Sequence, residues 1–333
     1  MRKKAFFITI LWALVALLFW WAWRDISLAQ VWDALSQLSL LSLAILLLLN
    51  GVIILIFSSR WWIILRALGH KIPYLTLTKY RLAGFGVGYF TPGPQFGGEP
   101  LQVYFLHKNH DISTETALTS VSLDKLLEML SNFTFLAIAM LVVVWQGLFF
   151  QEMAGTVVGF MAGMIILLLC YIIVLWMGQT PLAWIFGRLS LKRNQASPSV
   201  IRQTLLNVES QIGSFCRDKP RTLLLSGLLS ALKWILLFGE YALALRFLGL
   251  EVSLVNALAI IVFARLAFLT PLPGGLGALE AGQVFAMQSL GFEPVFGVSM
   301  SLFIRVRDSL FGLFGLWVGS ARSTSHLYGE KYV

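Results

Sequence analysis

The chain alternates long apolar runs with short polar ones. Six runs are continuous enough to cross a bilayer as helices, at 5–23, 38–57, 117–145, 155–177, 222–246 and 294–319. Each approaches or exceeds the roughly 18 residues that mark a span. Two further apolar segments, 80–106 and 254–290, are interrupted by "TPGPQFGGE" (91–99) and "TPLPGGLGALE" (270–280). The pattern predicts an all-α polytopic membrane protein with two broken helical segments. One polar stretch, 178–221, carries Ile201, Leu205, Val208, Ile212 and Phe215 at helical spacing after Ser197-Pro198. That stripe reads as an amphipathic helix, lying on the cytoplasmic leaflet or packed on the bundle's own loops.

Composition supports the membrane reading, since 58% of residues are hydrophobic and 12% charged, against about 25% charged in soluble domains. The net charge of +9 is placed by its distribution. Cations collect at Arg2, Lys3 and Lys4, at Arg60, Arg66, Lys71, Lys79 and Arg81, and along 178–221, then at Arg322 and Lys331. Under the positive-inside rule these mark the cytoplasmic side, with both termini there. The first run ends in Trp20, Trp21 and Trp23, which suits an uncleaved span with an interfacial anchor better than a signal peptide. The charge therefore does not indicate a nucleic-acid partner, and two cysteines make no disulfide framework.

The chain repeats itself. "LRALG" at 65–69 matches "LRFLG" at 245–249, Thr91-Pro92-x-Pro94 matches Thr270-Pro271-x-Pro273, Glu99 matches Glu280, and Lys125-x-x-Glu128 matches Arg305-x-x-Asp308. All offsets lie between 179 and 181 residues. Two units follow, 38–146 and 222–320, within one membrane domain, and the charge bias turns the second upside down relative to the first. Inverted repeats with interrupted helices are a transporter architecture whose site lies where the halves meet.

The interruptions are built from Pro92, Pro94, Gly97 and Gly98, and from Pro271, Pro273, Gly274, Gly275 and Gly277. Proline stops a helix and glycine lets the backbone turn. Each segment reads as a re-entrant hairpin or as a full span kinked by proline, and for the second the choice stays open. A returning helix begun by Pro100 would aim its positive end at the membrane middle, where an anion is stabilised.

Charges inside the spans are the candidate chemistry, because a charge at the bilayer centre costs about 2.5–3.5 kcal/mol and faces a cavity or a partner. Substrate contacts are expected from Glu99, Glu280, Arg265, Arg307, Arg305 and Lys125. Spacing of i,i+3 makes Glu128 the supporting partner of Lys125 and Asp308 that of Arg305, while Arg307 faces elsewhere with no such neighbour. Asp124, Lys233 and Glu240 add to the intramembrane charge. No catalytic signature, metal site or cofactor motif is present. His107 and His110 read as a solvated pair, and GGLG at 274–277 follows no strand.

"GGEPLQVYFL", "ETALTSVSLDKLLEML" and "TPLPGGLGALEAG" resemble the lysylphosphatidylglycerol synthase transmembrane-domain family, over nearly the whole chain. The resemblance implies a flippase-like role in moving a phospholipid or lipid-linked precursor between leaflets of the inner membrane, with Glu99 and Glu280 in the family's two motif blocks. Gln102 stands where a basic residue is expected, and Lys125 where arginine is common. The soluble lysyl-transferase domain is missing, so lipid synthesis is not implied. The expected partner is a membrane lipid with a phosphate headgroup, with room for a homo-oligomer or a separate lipid-modifying enzyme. The alternatives are a secondary transporter of a small anionic solute and a non-transporting accessory protein of lipid or glycan assembly.

Overall fold

The computed structural model describes residues 2–91, 97–147, 151–191, 198–270 and 272–329, which form thirteen α-helices and one 3₁₀ turn, with no sheet. Four stretches are long and apolar enough to cross a membrane: Leu40–Ala67 (α3), Thr114–Trp145 (α6), Gly155–Trp176 within α7 (Gln151–Trp176), and Pro220–Phe247 (α10). They make a multi-pass membrane protein, to which α1 (Arg2–Trp23) and α13 (Pro294–Gly329) add two further long helices. Leu47, Leu48, Ile138, Leu141, Ile166, Leu167, Leu224 and Leu228 stand exposed on the spans. In water such a surface would aggregate, whereas lipid solvates it.

Serine side chains fix three helix starts. Ser39, Ser113 and Ser253 accept the backbone N–H three residues on, at 3.1, 3.2 and 3.1 Å, satisfying an orphan donor at the heads of α3, α6 and α11 (Leu254–Ala267). Both interruptions fall on the Pro/Gly stretches. α4 (Tyr74–Phe90) stops before α5 (Glu99–His110), and α11 stops before the 3₁₀ turn Pro273–Gly275 and α12 (Ala278–Ser289). Pro92, Pro94 and Pro271 lie outside the described residues.

Two large apolar cores stand out. Trp61, Leu65, Leu77, Tyr80, Phe105, Leu106 and Val121 join α3 to α6. Tyr241, Leu245, Ile260, Leu279, Met287, Met300 and Ile304 join α10 to α13. The halves also exchange contacts: α3 packs on α10, α4 on α13, and α11 on α6. Small residues permit the second of these. A Cβ on Gly86 would lie 2.5 Å from the Gly312 carbonyl oxygen, and one on Gly315 would lie 2.1 Å from that of Leu82. Such backbone approach is what small residues provide between membrane helices.

Two expectations are corrected here. Arg60 and Arg81, assigned to a cytoplasmic loop, are buried inside helices, Arg60 with 1% exposure. α3 runs ten residues past Phe57, the end of its apolar run, because a carboxylate from a distant helix neutralises Arg60, as described below. The polar stretch is two helices, α8 (Pro181–Leu191) and α9 (Pro198–Asp218). Val208, Ile212 and Phe215 of α9 pack on Ile64, Leu123 and Leu175 of the bundle, while Ile201 is exposed. Of the two readings of the stripe, its lower part follows the one packed on the bundle. Glu209 is buried and accepts the N–H groups of Leu182 and Ala183 at 3.0 Å each, capping α8 from the side, with the Tyr171 hydroxyl donating to it at 3.0 Å.

Candidate functional site

The centre of the bundle holds a cavity of about 210 Å³ lined by α3, α4, α6, α10, α11 and α13. Its polar lining is Asn50, Arg81, Lys125, Glu128, Asn132, Lys233, Arg265, Arg307 and Asp308. Its apolar lining includes Ile53, Ile54, Phe57, Phe85, Trp234, Leu237 and Phe268. A smaller cavity of about 70 Å³ shares Phe57, Arg81, Phe85, Lys125 and Glu128 with it, and reaches Tyr89, Glu99 and Gln102 beside the first interruption.

Three ionic groups surround this space. Asp124 bridges Arg60 at 2.8 Å and Arg81 at 2.6 Å, with Arg60 also donating to Ser230 at 3.0 Å. Lys125 lies 3.0 Å from Glu99 and 3.4 Å from Glu128. Arg307 is bonded to Asp308 at 2.8 Å and to Glu240, whose Oε1 also accepts the Asn50 amide at 2.6 Å. A buried ion needs such partners, since removing either member leaves an uncompensated charge in a low-dielectric interior.

The interruptions supply two matching carboxylates. Gly97 (φ 139°) donates its N–H to Glu99 Oε2 at 2.8 Å, and Gly277 (φ 75°) donates to Glu280 Oε2 at 3.0 Å. Both glycines hold backbone conformations that a side chain would strain. Glu99 then meets Lys125, and Glu280 meets Arg305 at 2.8 Å through Nη2. Arg305 also donates to the carbonyls of Gly274 and Gly275, at 3.2 Å each, closing the second interruption on itself. The first is closed by backbone contact, since a Cβ on Gly98 would lie 1.9 Å from the Gly84 carbonyl oxygen. The two interruptions approach each other through Gly274, where a Cβ would stand 3.1 Å from the Tyr89 ring.

The structure brings Lys125, Glu128, Arg265, Arg307 and Asp308 to the larger cavity and Glu99 to the smaller one. It does not bring Glu280 or Arg305 to either; Glu280 has no exposure and the pair is self-neutralising. Two further corrections concern the pairing. Asp308 serves Arg307, not Arg305, and Arg307 has two acidic neighbours rather than none. Spacing within one helix places Asp308 near Arg305, but the hairpin carboxylate Glu280 reaches the guanidinium first, and that contact is 25 residues distant in sequence.

Lys233 is the cavity residue that site selection from sequence undervalued; its depth within a span was the available signal. Arg60 and Arg81 gave no signal, because they sit among loop-like cations. Gln102, at the position where a basic residue is expected, lines the smaller cavity. His107 Nδ1 bonds the Ile112 carbonyl at 2.9 Å and His110 Nε2 contacts the Tyr80 hydroxyl at 3.1 Å. No cluster of metal-ligating residues occurs among the described residues.

Comparison with known proteins follows the same lines. A UPF0104 membrane protein of Methanothermobacter thermautotrophicus is 26% identical over 276 residues, covering 80% of each chain. A UPF0104 membrane protein of Pyrococcus horikoshii is 24% identical over 322 residues, covering 91% of this chain and 92% of the relative. Residues 8–315 match the family described as the lysylphosphatidylglycerol synthase TM region. With that match across nearly its whole length, the chain belongs to the lysylphosphatidylglycerol synthase TM-region family.

Proposed function

We propose that the protein is a lipid transporter, carrying a phosphate-bearing phospholipid or lipid-linked precursor between the leaflets of the inner membrane. The observation that carries this reading is the cavity itself: five cations against two acids line it, set among aromatic and aliphatic walls in the middle of membrane-crossing helices. A charged headgroup crosses a bilayer unaided only at high cost. A cavity with fixed counter-charges substitutes for water along the way, and its apolar flank leaves the tails among the helices. At about 210 Å³ it is smaller than the roughly 300–1,000 Å³ pockets that enclose whole drug-sized ligands, which suits a headgroup.

The architecture proposed with it has repeats at 38–146 and 222–320 in opposite orientation, six crossing helices, two re-entrant hairpins and both termini cytoplasmic. The reciprocal packing of α4 on α13 and α11 on α6 supports a two-fold relation between halves. Glu99, Lys125, Glu128, Arg265, Arg307 and Asp308 are the proposed headgroup contacts and their supports. Glu280 and Arg305 act in this scheme as the closed counterpart of Glu99 and Lys125. No catalytic step is assigned, and none is needed for leaflet exchange.

Reconstitution tests the proposal. Purified protein in vesicles should accelerate exchange of a fluorescent phosphatidylglycerol between leaflets, followed by quenching from outside. Exchange no faster than in protein-free vesicles, with a folded and correctly inserted protein, would rule the function out. Uptake of inorganic phosphate into the same vesicles, without lipid exchange, would select the small-anion transporter instead.

A further inference from the structure

Two cations in the larger cavity have no counter-ion. No carboxylate comes within 4.0 Å of Lys233 or Arg265, and neither side chain donates a hydrogen bond, among the described residues. Lys233 is only 9% exposed, and Arg265 Nε is buried without an acceptor. The acids nearest in effect are engaged elsewhere. Glu128, which acts on Lys233, pairs with Lys125. Asp308 and Glu240, which act on Arg265, both pair with Arg307.

The two cations share one surface. Lys233 Nζ lies 4.5 Å and Arg265 Cζ 5.4 Å from the centroid of the Trp234 ring. That ring is held by Phe135, stacked at 4.2 Å, and its Nε1–H is also buried without an acceptor. Aromatic faces attract a cation but do not replace an anion. Three unsatisfied donors thus surround one side of the cavity, where an unpaired polar group is costly.

The other half of the molecule does not duplicate them. A shift of 180 residues takes Lys233 to Ile53 and Arg265 to Phe85, and both of these line the same cavity. The cavity thus carries apolar side chains at the positions that correspond to its two unpaired cations.

Resting on the transport reading above, we infer that Lys233, Arg265 and the Trp234 N–H form the seat of a single phosphate group, with Ile53 and Phe85 facing the apolar part of the same ligand. The charge of that phosphate follows from the surroundings. The groups around Asp124, Lys125 and Arg307 together hold four cations and five acids. Lys233 and Arg265 turn the deficit of one into an excess of one. A phosphate with one negative charge, as in a phosphodiester, brings the buried cluster to neutrality, and a doubly charged monoester overshoots. Free phosphate offers the same oxygens without the apolar part.

Binding to the purified full-length protein in detergent distinguishes these ligands. Phosphatidylglycerol should bind, diacylglycerol should not, and phosphatidic acid at alkaline pH, where it is doubly charged, should bind more weakly. Lys233→Gln and Arg265→Gln should each weaken phosphatidylglycerol by at least about tenfold, Arg265→Lys should retain most of the affinity, and none should lower the melting midpoint. Wild-type affinity in both Gln variants refutes the seat, and so does a failure of the wild type to bind either phosphatidylglycerol or inorganic phosphate. Tighter binding of phosphatidic acid at alkaline pH overturns the single-charge assignment. Inorganic phosphate binding as tightly as the lipid, still lost in the two variants, keeps the seat and overturns the lipid reading.

Discussion

Glu280 and Arg305 form, in the second half of the chain, the ion pair that Glu99 and Lys125 form at 3.0 Å in the first. In both cases a hairpin carboxylate accepts its own turn's glycine N–H and meets a cation on the following long helix. The pairs differ in burial: the Glu280 side chain has 0% exposure and that of Glu99 26%. The Glu280 pair is fully enclosed, whereas Glu99 and Lys125 border a cavity.

Breaking the sealed pair should cost more than breaking the open one. Glu280→Gln and Arg305→Ala each leave a buried charge alone and should destabilise by about 3–5 kcal/mol. Glu99→Gln, partly solvated, should cost about 1 kcal/mol or less. Chemical denaturation of the three variants in one detergent gives the comparison, and equal losses would remove the distinction between the two interruptions.

Asp124 holds two guanidinium groups together, so its loss should be severe. Asp124→Asn should destabilise by about 3–5 kcal/mol. Replacing Arg60 and Arg81 by Met in the same background should recover most of it, since no stranded charge then remains. Thermal melting of the single and triple variants measures this. A triple variant as unstable as the single one would mean that geometry, not charge, is what Asp124 supplies.

The unpaired lysine should behave in the opposite sense. Lys233→Met removes a desolvated charge and should raise stability by about 1–3 kcal/mol, while lipid exchange in vesicles falls to background. Gain of stability with loss of activity is the pattern of a strained functional group. A destabilised Lys233→Met protein would show that the ammonium is a structural element.

Glu209 should govern the docking of α8 and α9. Glu209→Ala leaves the Leu182 and Ala183 N–H groups without acceptors and should cost about 1–3 kcal/mol. Cys216 reports the change. It is buried on α9, and burial pushes its thiol above the usual range, which keeps it inert. In a Cys170→Ser background, maleimide labelling of Cys216 should be slow in the parent and fast in Glu209→Ala. Unchanged labelling would show that the apolar contacts of Val208, Ile212 and Phe215 hold α9 unaided.

By itself the sequence determined the helical class, the membrane location and the positions of both interruptions. These are local or periodic properties: apolar run length is set by bilayer thickness, and Pro and Gly act on their own backbone. Tertiary structure alone decided which charge meets which. Arg60 looked like a loop cation until Asp124, 64 residues away, took it into the bundle. Arg305 exchanged its helix neighbour Asp308 for the hairpin's Glu280, and Arg307, expected to be free, gained Glu240, 67 residues distant. Lys233 and Arg265 became the unpaired cations by elimination, because every carboxylate near them was already bound. Coulomb attraction in a desolvated interior depends on distance through space, and sequence spacing reports that distance only within a single helix.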